Sequence, residues 1–428
     1  MRRYESYKDS GVEWLGEVPS HWGLTIGMNV FRENKRDNKG MKEKTVLSLS
    51  YGQIIIKPEE KLVGLVPESF ETYQIVEPND IIIRCTDLQN DQTSLRTGLA
   101  KDKGIITSAY LNLKVINNHS AKFLHYYLHA LDITKVLYKF GSGLRQNLSF
   151  LDFKRLPIID IPLSEQQKIA QFLDDKTAKI DQAVALAEKQ IALLKEHKQI
   201  LIQNAVTRGL NPDVPLKDSS VEWIGQVPEY WEVKKLKYLA KLSPSKSEIT
   251  CNHEESCSFI PMEKLKLNTL ILDEIKQIKN VYSAYTYFRD EDLLIAKVTP
   301  CFENKNFAIA KNLVNSIGFG SSEIYVLRTY NNLLNKFLFY RLQEQNFMEI
   351  AISKMSGTGG LKRVPSEFIN NFQLALPPFC EQQKIADYLD TQTAKIDQAI
   401  ALKTAHIEKL KEYKSVLIND VVTGKVRV

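Results

Sequence analysis

The amino-acid sequence predicts an α+β fold, in which two similar small α/β domains are separated by two long helices that pair as an antiparallel coiled coil. Three observations predict this architecture. First, much of the sequence occurs as two similar copies. Second, each copy ends in a long helical segment with a heptad pattern. Third, each copy has short strand and helix patterns before that segment. We therefore expect an internal pseudo-twofold duplication.

Composition sets the broad class of the protein. The 428 residues are 43% hydrophobic and 25% charged, which is typical of a globular protein with two or three domains. The two arginines at the start precede no apolar run, and no stretch approaches the roughly 18 apolar residues of a membrane span. Five scattered cysteines suit a reducing cytoplasm, and the net charge of +6 mildly favours a polyanionic partner.

Three sequence blocks recur in the same order along the chain. They are KDSGVEWLGEVPSHW at 8–22 with KDSSVEWIGQVPEYW at 217–231, KFLHYYL at 122–128 with KFLFYRL at 336–342, and EQQKIAQFLD from Glu165 with EQQKIADYLD from Glu381. The spacing between copies is constant inside each block and drifts between blocks. This indicates a tandem duplication in which insertions have gathered between the shared blocks.

Two variable bodies, roughly residues 23–150 and 232–366, lie between the shared blocks. Each contains a strand pattern after turn residues, a turn leading into an alternating strand, a helix and a glycine-rich turn. The strand patterns are at 80–84, 110–114, 292–296 and 324–328, the helices near 121–139 and 334–354, and the turns at 141–145 and 357–362. Each body is therefore predicted to be a small mixed α/β domain.

The shared tails are predicted to be long helices with an apolar seam. Apolar residues recur at alternating steps of three and four over five heptads in each copy, which is the pattern of a coiled coil. The seam comprises Leu173, Ile180, Val184, Ile191, Leu194, Leu201, Leu389, Ile396, Ile400, Ile407, Leu410 and Leu417, interrupted by Lys198, Lys403 and Lys414. Ser164 is predicted to cap the first helix, and Gly209 and Gly424 to end the two helices.

These patterns divide the chain into four parts. A first domain covers 1–155 and a first helix with its spacer covers 156–214. A second domain covers 215–372 and a second helix with its spacer covers 373–428. If the two halves are related by a pseudo-twofold axis, the helices run antiparallel, and a helix of about 43 residues is about 64 Å long.

Twofold-related modules at a fixed separation match the dyad of duplex DNA, in which protein geometry sets the spacing of half-sites. Because the two bodies differ in sequence, the two half-sites are expected to differ as well. The helix length limits the separation of the half-site centres to about 19 base pairs. Bodies that shared one catalytic task would carry the same polar residues in both copies, and these do not.

Several motifs resemble those of type I restriction-modification specificity (S) subunits. They are the tryptophan motif at 14–22 with its copy at 223–231, the glycine turn at 141–143, and the helix starts from Glu165 and Glu381. The resemblance covers the whole chain, in the order target-recognition domain, conserved helix, target-recognition domain, conserved helix. The bodies depart from any pattern that could be transferred residue by residue, so no base-contacting residue is carried over.

The resemblance implies a cytoplasmic, non-catalytic subunit that recognises double-stranded DNA at a bipartite, asymmetric site. It implies that the helices set the gap and dock adenine-methyltransferase (modification) subunits, expected to be two. ATP-dependent restriction subunits, which translocate and cleave DNA, would join the larger complex. No cofactor is expected on this chain itself, whereas S-adenosylmethionine, ATP and magnesium are expected on the partner subunits.

Basic and amide-rich stretches inside the bodies are the candidates for DNA binding. Arginine and lysine suit guanine edges and phosphates, whereas asparagine and glutamine suit adenine. The candidates are Lys35, Arg36, Arg84, Gln89, Asn90, Gln92, Thr93, Arg96 and Arg145 in the first body, and Lys246, Lys297, Thr299, Asn304, Lys305, Asn306, Ser321, Ser322 and Lys362 in the second. The alternative for each of these residues is an ordinary solvated loop.

Other motifs favour structural interpretations. The tryptophans at 14, 22, 223 and 231 are predicted to form a packing clasp rather than a base-stacking platform. The segment 376–379 resembles an adenine-methyltransferase motif, but it begins with leucine and is not repeated. The glycines at 141–143 follow a helix, where a cofactor-binding loop needs a strand. Cys251, His253 and Cys257 are interpreted as a free-thiol loop, because no second ligand pair stands at zinc-finger spacing.

Three hypotheses from different classes remain at this point. The first is a DNA-specificity subunit that directs methylation by bound partners, with neither a catalytic residue nor a metal site of its own. The second is a stand-alone methyltransferase or nuclease whose active site escapes recognition. The third is a duplicated coiled-coil adaptor that joins two proteins and does not bind nucleic acid.

Overall fold

A computed structural model describes residues 2–58, 60, 69–91, 93–141, 146–357 and 360–428. The chain forms two compact units. Unit 1 consists of Met1–Glu188 with Thr404–Val428, and unit 2 is Lys189–Lys403. Each unit therefore contains one α/β body and a part of each long helix.

Unit 1 is built on an antiparallel sheet in the order β4-β11-β8-β9. Its buried centre is β8, the all-isoleucine strand predicted from the turn and apolar run at 80–84. The elements are β1 Tyr7–Asp9, β2 Glu17–Pro19, β3 Gly23–Ile26, β4 Phe31–Glu33, β5 Leu47–Ser50, β6 Gln53–Ile56, β7 Gln74–Val76, β8 Ile81–Ile83, β9 Thr97–Leu99, β10 Gly104–Ile106, β11 Leu111–Val115, α1 Ala121–Ile133, α2 Phe150–Arg155, β12 Pro157–Asp160 and α3 Leu163–Arg208.

Unit 2 repeats this sheet in the equivalent order, β16-β25-β22-β23. The elements are β13 Leu216–Asp218, β14 Gln226–Pro228, β15 Glu232–Lys235, β16 Ala240–Leu242, β17 Ser256–Ile260, β18 Leu265–Lys266, β19 Thr269–Leu270, β20 Ile275–Gln277, α4 Ile278–Val281, β21 Thr286–Arg289, β22 Leu293–Ala296, β23 Phe307–Ile309, β24 Ile317–Gly320, β25 Ile324–Thr329, α5 Asn335–Arg341, α6 Gln345–Lys354, α7 Ser366–Asn371, β26 Gln373–Leu376 and α8 Phe379–Val422. The matching strand orders confirm the predicted duplication.

The bodies differ most between the equivalents of β5 and β7. In both units the first strand of this region lies parallel to a later one, through Val46 opposite Ile105 and through Ser258 opposite Gly318. In unit 1 this first strand, β5, continues directly into the hairpin β5–β6. In unit 2 the small hairpin β18–β19 lies between the first strand, β17, and its antiparallel neighbour β20. The frame is thus shared, and the segments mounted on it are different.

The repeated sequence motifs form one structural clasp in each unit. Trp22 and Trp231 are fully buried, and their indole nitrogens donate to Glu165 at 3.1 Å and Glu381 at 3.3 Å. The next residue in each copy, Gln166 or Gln382, accepts from a main-chain NH at the start of α1 or just before α5. Full burial of a large aromatic side chain stabilises a domain by about 2–3 kcal/mol. The motifs recur because each body needs this clasp to the start of its long helix.

The long helices pair antiparallel inside each unit. In unit 1, Lys414 of α8 donates to Asp181 of α3 at 2.6 Å. In unit 2, Lys198 of α3 donates to Asp397 of α8 at 2.7 Å. The residue numbers of each pair have the same sum, as antiparallel pairing requires. The predicted antiparallel coiled coil is therefore confirmed, and two of the lysines that interrupt the seam are held by carboxylates beside it.

The predicted seam residues lie on the inner side of this pairing, where each is buried or half-buried. The predicted helix ends are confirmed, because α3 stops before Gly209 and α8 stops just before Gly424, both at positive φ. A Cβ at Gly424 would lie 2.4 Å from Pro19, so this end also needs glycine for close packing. The predicted cap is wrong: Ser164 lies inside α3, which already begins at Leu163.

Candidate DNA interface

Both units carry a loop between the last two strands of the shared sheet. In unit 1 it covers residues 84–96, between β8 and β9, and in unit 2 it covers 297–306, between β22 and β23. In unit 1 this loop is bonded to the segment after the glycine-rich turn, through Asp87 N to Asn147 Oδ1 at 2.9 Å and Leu148 N to Cys85 O at 2.8 Å. Most of the candidate residues lie on these two loops or beside them.

A buried arginine holds the loop of unit 1. The side chain of Arg96 is fully buried, and its guanidinium stacks on Tyr138 and donates to the Tyr138 hydroxyl at 2.9 Å. The other guanidinium nitrogens donate to four main-chain carbonyls of the loop, those of Arg84, Thr86, Asp87 and Asp91. The prediction that Arg96 contacts DNA is therefore wrong, because its guanidinium nitrogens donate to Tyr138 and to the loop carbonyls inside the protein. Arg96 positions its neighbours instead.

The clamped loop exposes hydrogen-bonding side chains. Gln89, Asn90 and Thr93 are exposed, as a base-contacting surface requires. Arg84 is half-buried and its guanidinium lies 3.0 Å from Asp91. The Ser94 main-chain NH donates to Asp91 and, with Arg84 nearby, lowers the pKa of that carboxyl to about 2. Of the remaining candidates in this body, Gln92 and Arg145 lie outside the described residues.

A basic segment leads into the hairpin of unit 1. Residues 35–44 contain five lysine or arginine side chains against two carboxylates, a net charge of +3. Lys35 is exposed, with its Nζ 3.0 Å from Glu33. Arg36 is half-buried and donates to Asp80 at 2.8 Å, so its position is fixed by the buried carboxylate that precedes β8. Such a segment suits the phosphate backbone.

The loop of unit 2 is joined to the glycine-rich turn. Thr299 accepts a hydrogen bond from the Lys362 main-chain NH at 3.1 Å and donates to Gly360 O at 2.9 Å. The structure thus brings together two predicted contacts that lie 63 positions apart in the sequence. Lys362 and Asn304 are exposed, in agreement with a role as contacts.

Two predicted contacts in this loop are wrong. Lys305 Nζ donates to Gln199 Oε1 and Gln343 O, each at 2.8 Å. Burial, reinforced by the nearby charge of Lys198, lowers the pKa of Lys305 to about 8. Asn306 is buried beside it. Lys305 therefore ties its loop to Gln199 and Gln343, which lie outside the loop, whereas Arg96 bonds to carbonyls of its own loop.

The remaining candidates in unit 2 lie at or beside a cleft of about 360 Å³. Lys246, Lys297 and Ser322 line it together with Tyr285, Tyr287 and Tyr325. Lys297 lies over the ring of Tyr325, whereas Lys246 donates to the main-chain carbonyls of Tyr282 and Ser283. Ser321 caps the adjoining turn by accepting from Glu323 N. The cleft combines cations, hydroxyls and aromatic faces, which are the groups that contact phosphates and bases.

The motifs that suggest catalysis or metal binding have structural places. Leu376 is the buried end of β26, and Phe379 begins α8. All five cysteines are free thiols. Within the described ranges, the side chains include no group of three or more His, Cys, Asp or Glu able to hold a metal ion. In the same part of the chain, no helix is both long and apolar enough to cross a membrane.

The comparison with protein families agrees with this duplicated architecture. The model of the type I restriction modification DNA specificity domain matches residues 30–195 and again 228–412. The two matches together cover well over half of the chain. The chain belongs to this specificity family. Each match includes one recognition body and the first part of the long helix that follows it.

Named specificity subunits are similar to parts or all of the chain. The EcoAI and EcoEI specificity subunits of Escherichia coli are 38% and 35% identical over 163 residues, and each match covers 37% of this chain. The chain spans only 27% of the length of those two relatives. The putative MjaX specificity subunit of Methanocaldococcus jannaschii is 23% identical over 97% of this chain and 96% of its own.

Solved structures share the fold. A chain from a structure of a type I R-M system, which concerns complex assembly and conformational transition, has a TM-score of 0.67 at 16% identity. The match covers 96% of this chain and 99% of that one. The HsdS subunit of Thermoanaerobacter tengcongensis has a TM-score of 0.54 at 17% identity, over 96% and 98%. These identities are too low to carry individual residues across the specificity family.

The sequence-based candidates do not include every exposed residue of the candidate surface in unit 1. Lys42 and Lys44 are exposed in the basic segment, and Tyr51 is exposed at the tip of the hairpin that follows. The basic segment could have been found from its run of lysines. The hairpin signal was weaker, because Tyr51-Gly52 is not one of the dipeptides that usually mark such a turn.

Proposed function

We propose that this chain is the DNA-specificity subunit of a type I restriction-modification system. Each recognition body would recognise one half of a bipartite, asymmetric site in double-stranded DNA. Methyl transfer and cleavage would belong to partner subunits in the cytoplasm, which would bind S-adenosylmethionine, ATP and magnesium. The observation that carries the proposal is the pairing of one shared frame with two different loops, 84–96 and 297–306. A cation fixes each loop, the buried Arg96 in unit 1 and the half-buried Lys305 in unit 2.

The chemistry of the two surfaces supports different half-sites. The unit 1 surface offers Gln89 and Asn90 beside a basic segment, and amide side chains pair well with adenine. The unit 2 surface offers Lys297 and Ser322 in an aromatic-lined cleft. Since a base pair is recognised by the donors and acceptors set against it, unlike surfaces favour unlike sequences. An adaptor for two proteins would have no need of cationic and amide groups at both places.

The long helices are proposed to set the gap between the half-sites. Helix α3 runs without interruption over 46 residues, about 69 Å. Insertion of seven residues in register into both α3 and α8 would lengthen each helix by about 10 Å, or about three base pairs of DNA. We expect the gap in the methylated site to grow accordingly while both half-sites stay the same. An unchanged gap would show that another feature sets the spacing.

The docking of modification subunits is proposed on the outer side of the helices. Beside the inner seam, one heptad position carries apolar residues that are 50–65% exposed: Leu186, Leu193 and Ile200 of α3, and Leu402 and Val416 of α8. Lysines occupy the same position at 179, 395 and 409. A repeated apolar stripe in water favours a covering partner helix. We expect Leu193→Glu with Leu402→Glu to abolish copurification with the modification subunit. The same exchange at the exposed Lys195 is the control, and equal copurification of both variants would contradict this docking face.

The decisive experiment is to map methylated bases in host cells with and without the gene. A split, asymmetric adenine mark that disappears with the gene is expected. The purified chain is also incubated with DNA and labelled S-adenosylmethionine, alone and with its modification subunit. Methyl transfer by the chain alone would favour the stand-alone enzyme. A complex that protects no split site in footprinting would favour the adaptor.

A further inference from the structure

The hairpin β5–β6 ends in an aromatic side chain that the fold leaves in solvent. Ser50 pairs with Gln53, so the turn consists of Tyr51 and Gly52 alone. The side chain of Tyr51 is 93% exposed, the highest value among the exposed large apolar and aromatic residues that the structure describes. In the isolated chain, an exposed ring of this size contributes no burial free energy to the stability of the fold.

The turn itself would favour a different residue. Tyr51 and Gly52 have φ values of +48° and +76°. A two-residue hairpin turn with positive φ at both positions favours asparagine followed by glycine, and a bulky side chain is unfavourable at the first position. Local folding therefore does not account for the tyrosine. Strain of this kind at an exposed tip points to a functional use.

The tip is buttressed against the loop that bears the candidate contacts. A Cβ on Gly52 would lie 3.1–3.2 Å from Leu95, so the turn packs directly on the residue before the Arg96 clamp. Lower in the hairpin, Leu49 and Ile54 pack against Gly98 of β9. The ring of Tyr51 is thus mounted on a fixed support beside loop 84–96.

The surroundings of the ring favour DNA over a protein or a membrane. The residues that flank the turn are Ser50 and Gln53, and two exposed isoleucines, Ile55 and Ile56, lie towards the base of the hairpin. The cationic segment 35–44 leads into the same hairpin. A single ring set among hydroxyl, amide and cationic groups matches base stacking with phosphate contacts on either side. A protein-docking surface would need a broader apolar area.

We propose that Tyr51 is a specificity-determining residue that stacks on a base of the half-site bound by unit 1. The ring enters the DNA at the tip of the hairpin, and Gln89 and Asn90 contact base edges near it. The basic segment holds the adjacent phosphates. This assignment rests on the proposed function and names the residue through which unit 1 contacts its bases.

The test uses the full chain with its modification subunit and the site found in the host methylome. The informative variant is Tyr51→Asn, because asparagine suits the turn while the ring is lost. We expect this variant to unfold at the same temperature as the wild type or higher. Its affinity for the site should nevertheless fall about 5- to 100-fold, the usual effect of removing one stacked aromatic ring. Tyr51→Phe should bind as the wild type does, and Tyr238→Asn, at another exposed tyrosine, is the control.

A fluorescent base locates the contact. 2-Aminopurine is placed in turn at each position of the half-site bound by unit 1, and its fluorescence rises when stacking with its neighbours is disturbed. We expect a rise at one position with the wild type and Tyr51→Phe, and none there with Tyr51→Asn. The methylome of Tyr51→Asn should show relaxed sequence preference at that position and an unchanged second half-site.

The outcomes separate this assignment from the proposed function. If the wild-type complex methylates no split site, the proposed function fails and the assignment fails with it. If the wild type methylates a split site and Tyr51→Asn matches it in affinity and in both half-sites, only the assignment of Tyr51 is overturned. A Tyr51→Asn variant that relaxes the half-site bound by unit 2 instead would overturn it as well.

Discussion

Replacement of Arg96 by methionine tests whether a buried cation organises loop 84–96 of unit 1. Methionine has a similar length and is apolar, so the change removes the hydrogen bonds without creating a large cavity. The guanidinium serves four main-chain carbonyls of loop 84–96 and the hydroxyl of Tyr138. In the variant, the Asp87 and Asp91 carbonyls keep the Asp91 main-chain NH and the Tyr138 hydroxyl as donors, whereas the carbonyls of Arg84 and Thr86 lose the donor that Arg96 supplies.

The expected loss of stability is large. A buried polar group left without a partner costs about 1–3 kcal/mol, and several of these carbonyls can regain water only if the loop opens. The loss of Arg96 should therefore lower the free energy of unfolding of unit 1 by about 3–5 kcal/mol. Arg96→Lys keeps the charge but has a single nitrogen to offer, so it should recover less than half of that loss.

Hydrogen exchange followed through urea unfolding measures this effect locally. Loop 84–96 should lose its protection in Arg96→Met, while loop 297–306 serves as the internal reference. Arg155→Met, at an exposed arginine, is the control variant. DNA recognition should be lost in the half-site of unit 1 only. Wild-type protection of loop 84–96 in Arg96→Met, or a stability loss below about 1 kcal/mol, would refute the clamp.

Three further predictions concern stability. Burial lowers the pKa of His125 to about 4 and that of His129 to about 3. The unfolded chain therefore binds more protons than the folded chain below pH 6.5, and the free energy of unfolding should decrease by about 1.4 kcal/mol per histidine for each pH unit below that value. His125→Phe with His129→Gln, the residues of the second copy, should flatten this dependence in urea titrations from pH 7 to 5, and an unchanged slope would disprove it. Gly424→Ala should lower stability by about 2 kcal/mol or more in thermal unfolding, whereas Gly16→Ala, at a similar φ but without a neighbour within 4 Å, should cost less; equal losses would contradict the close contact with Pro19. Glu381→Ala should cost about 1–2 kcal/mol in urea unfolding by removing the acceptor of Trp231 and Tyr230, and Glu408→Ala, exposed on the same helix, should be neutral; a neutral Glu381→Ala would argue against the clasp.

The outline of the fold could be predicted because its signals are local and repeated. The heptads of α3 and α8 and the apolar run of β8 have periods that follow from the geometry of a helix or a strand. The duplication adds a second signal, because comparison of the two copies shows which positions are shared. These shared positions mark the common frame. The helix start at Ser164 was placed too late, because the preceding Pro162 already accepts from Glu165 N and Gln166 N.

The candidate site could be predicted only by region. Arg84, Arg96 and Lys305 look alike in sequence as cations in polar loops, yet they differ in the structure. Arg96 and Lys305 are turned inward to main-chain carbonyls, whereas Arg84 pairs with a carboxylate of its own loop. Whether a cation faces solvent or the interior depends on carbonyls contributed by segments far away in the chain, and no local pattern records that.

The sequence by itself determined the duplication, the order of domains and helices, and the seam, because periodic burial imposes periodic residue types on a chain. Tertiary structure alone decided which polar groups are free to meet a ligand. Two predicted DNA contacts, Arg96 and Lys305, instead hold their loops in place. Tyr51 is exposed at the tip of a hairpin that packs against Leu95. The physical reason is that burial and hydrogen bonding are properties of surroundings assembled from distant segments, whereas secondary-structure periodicity belongs to neighbouring residues.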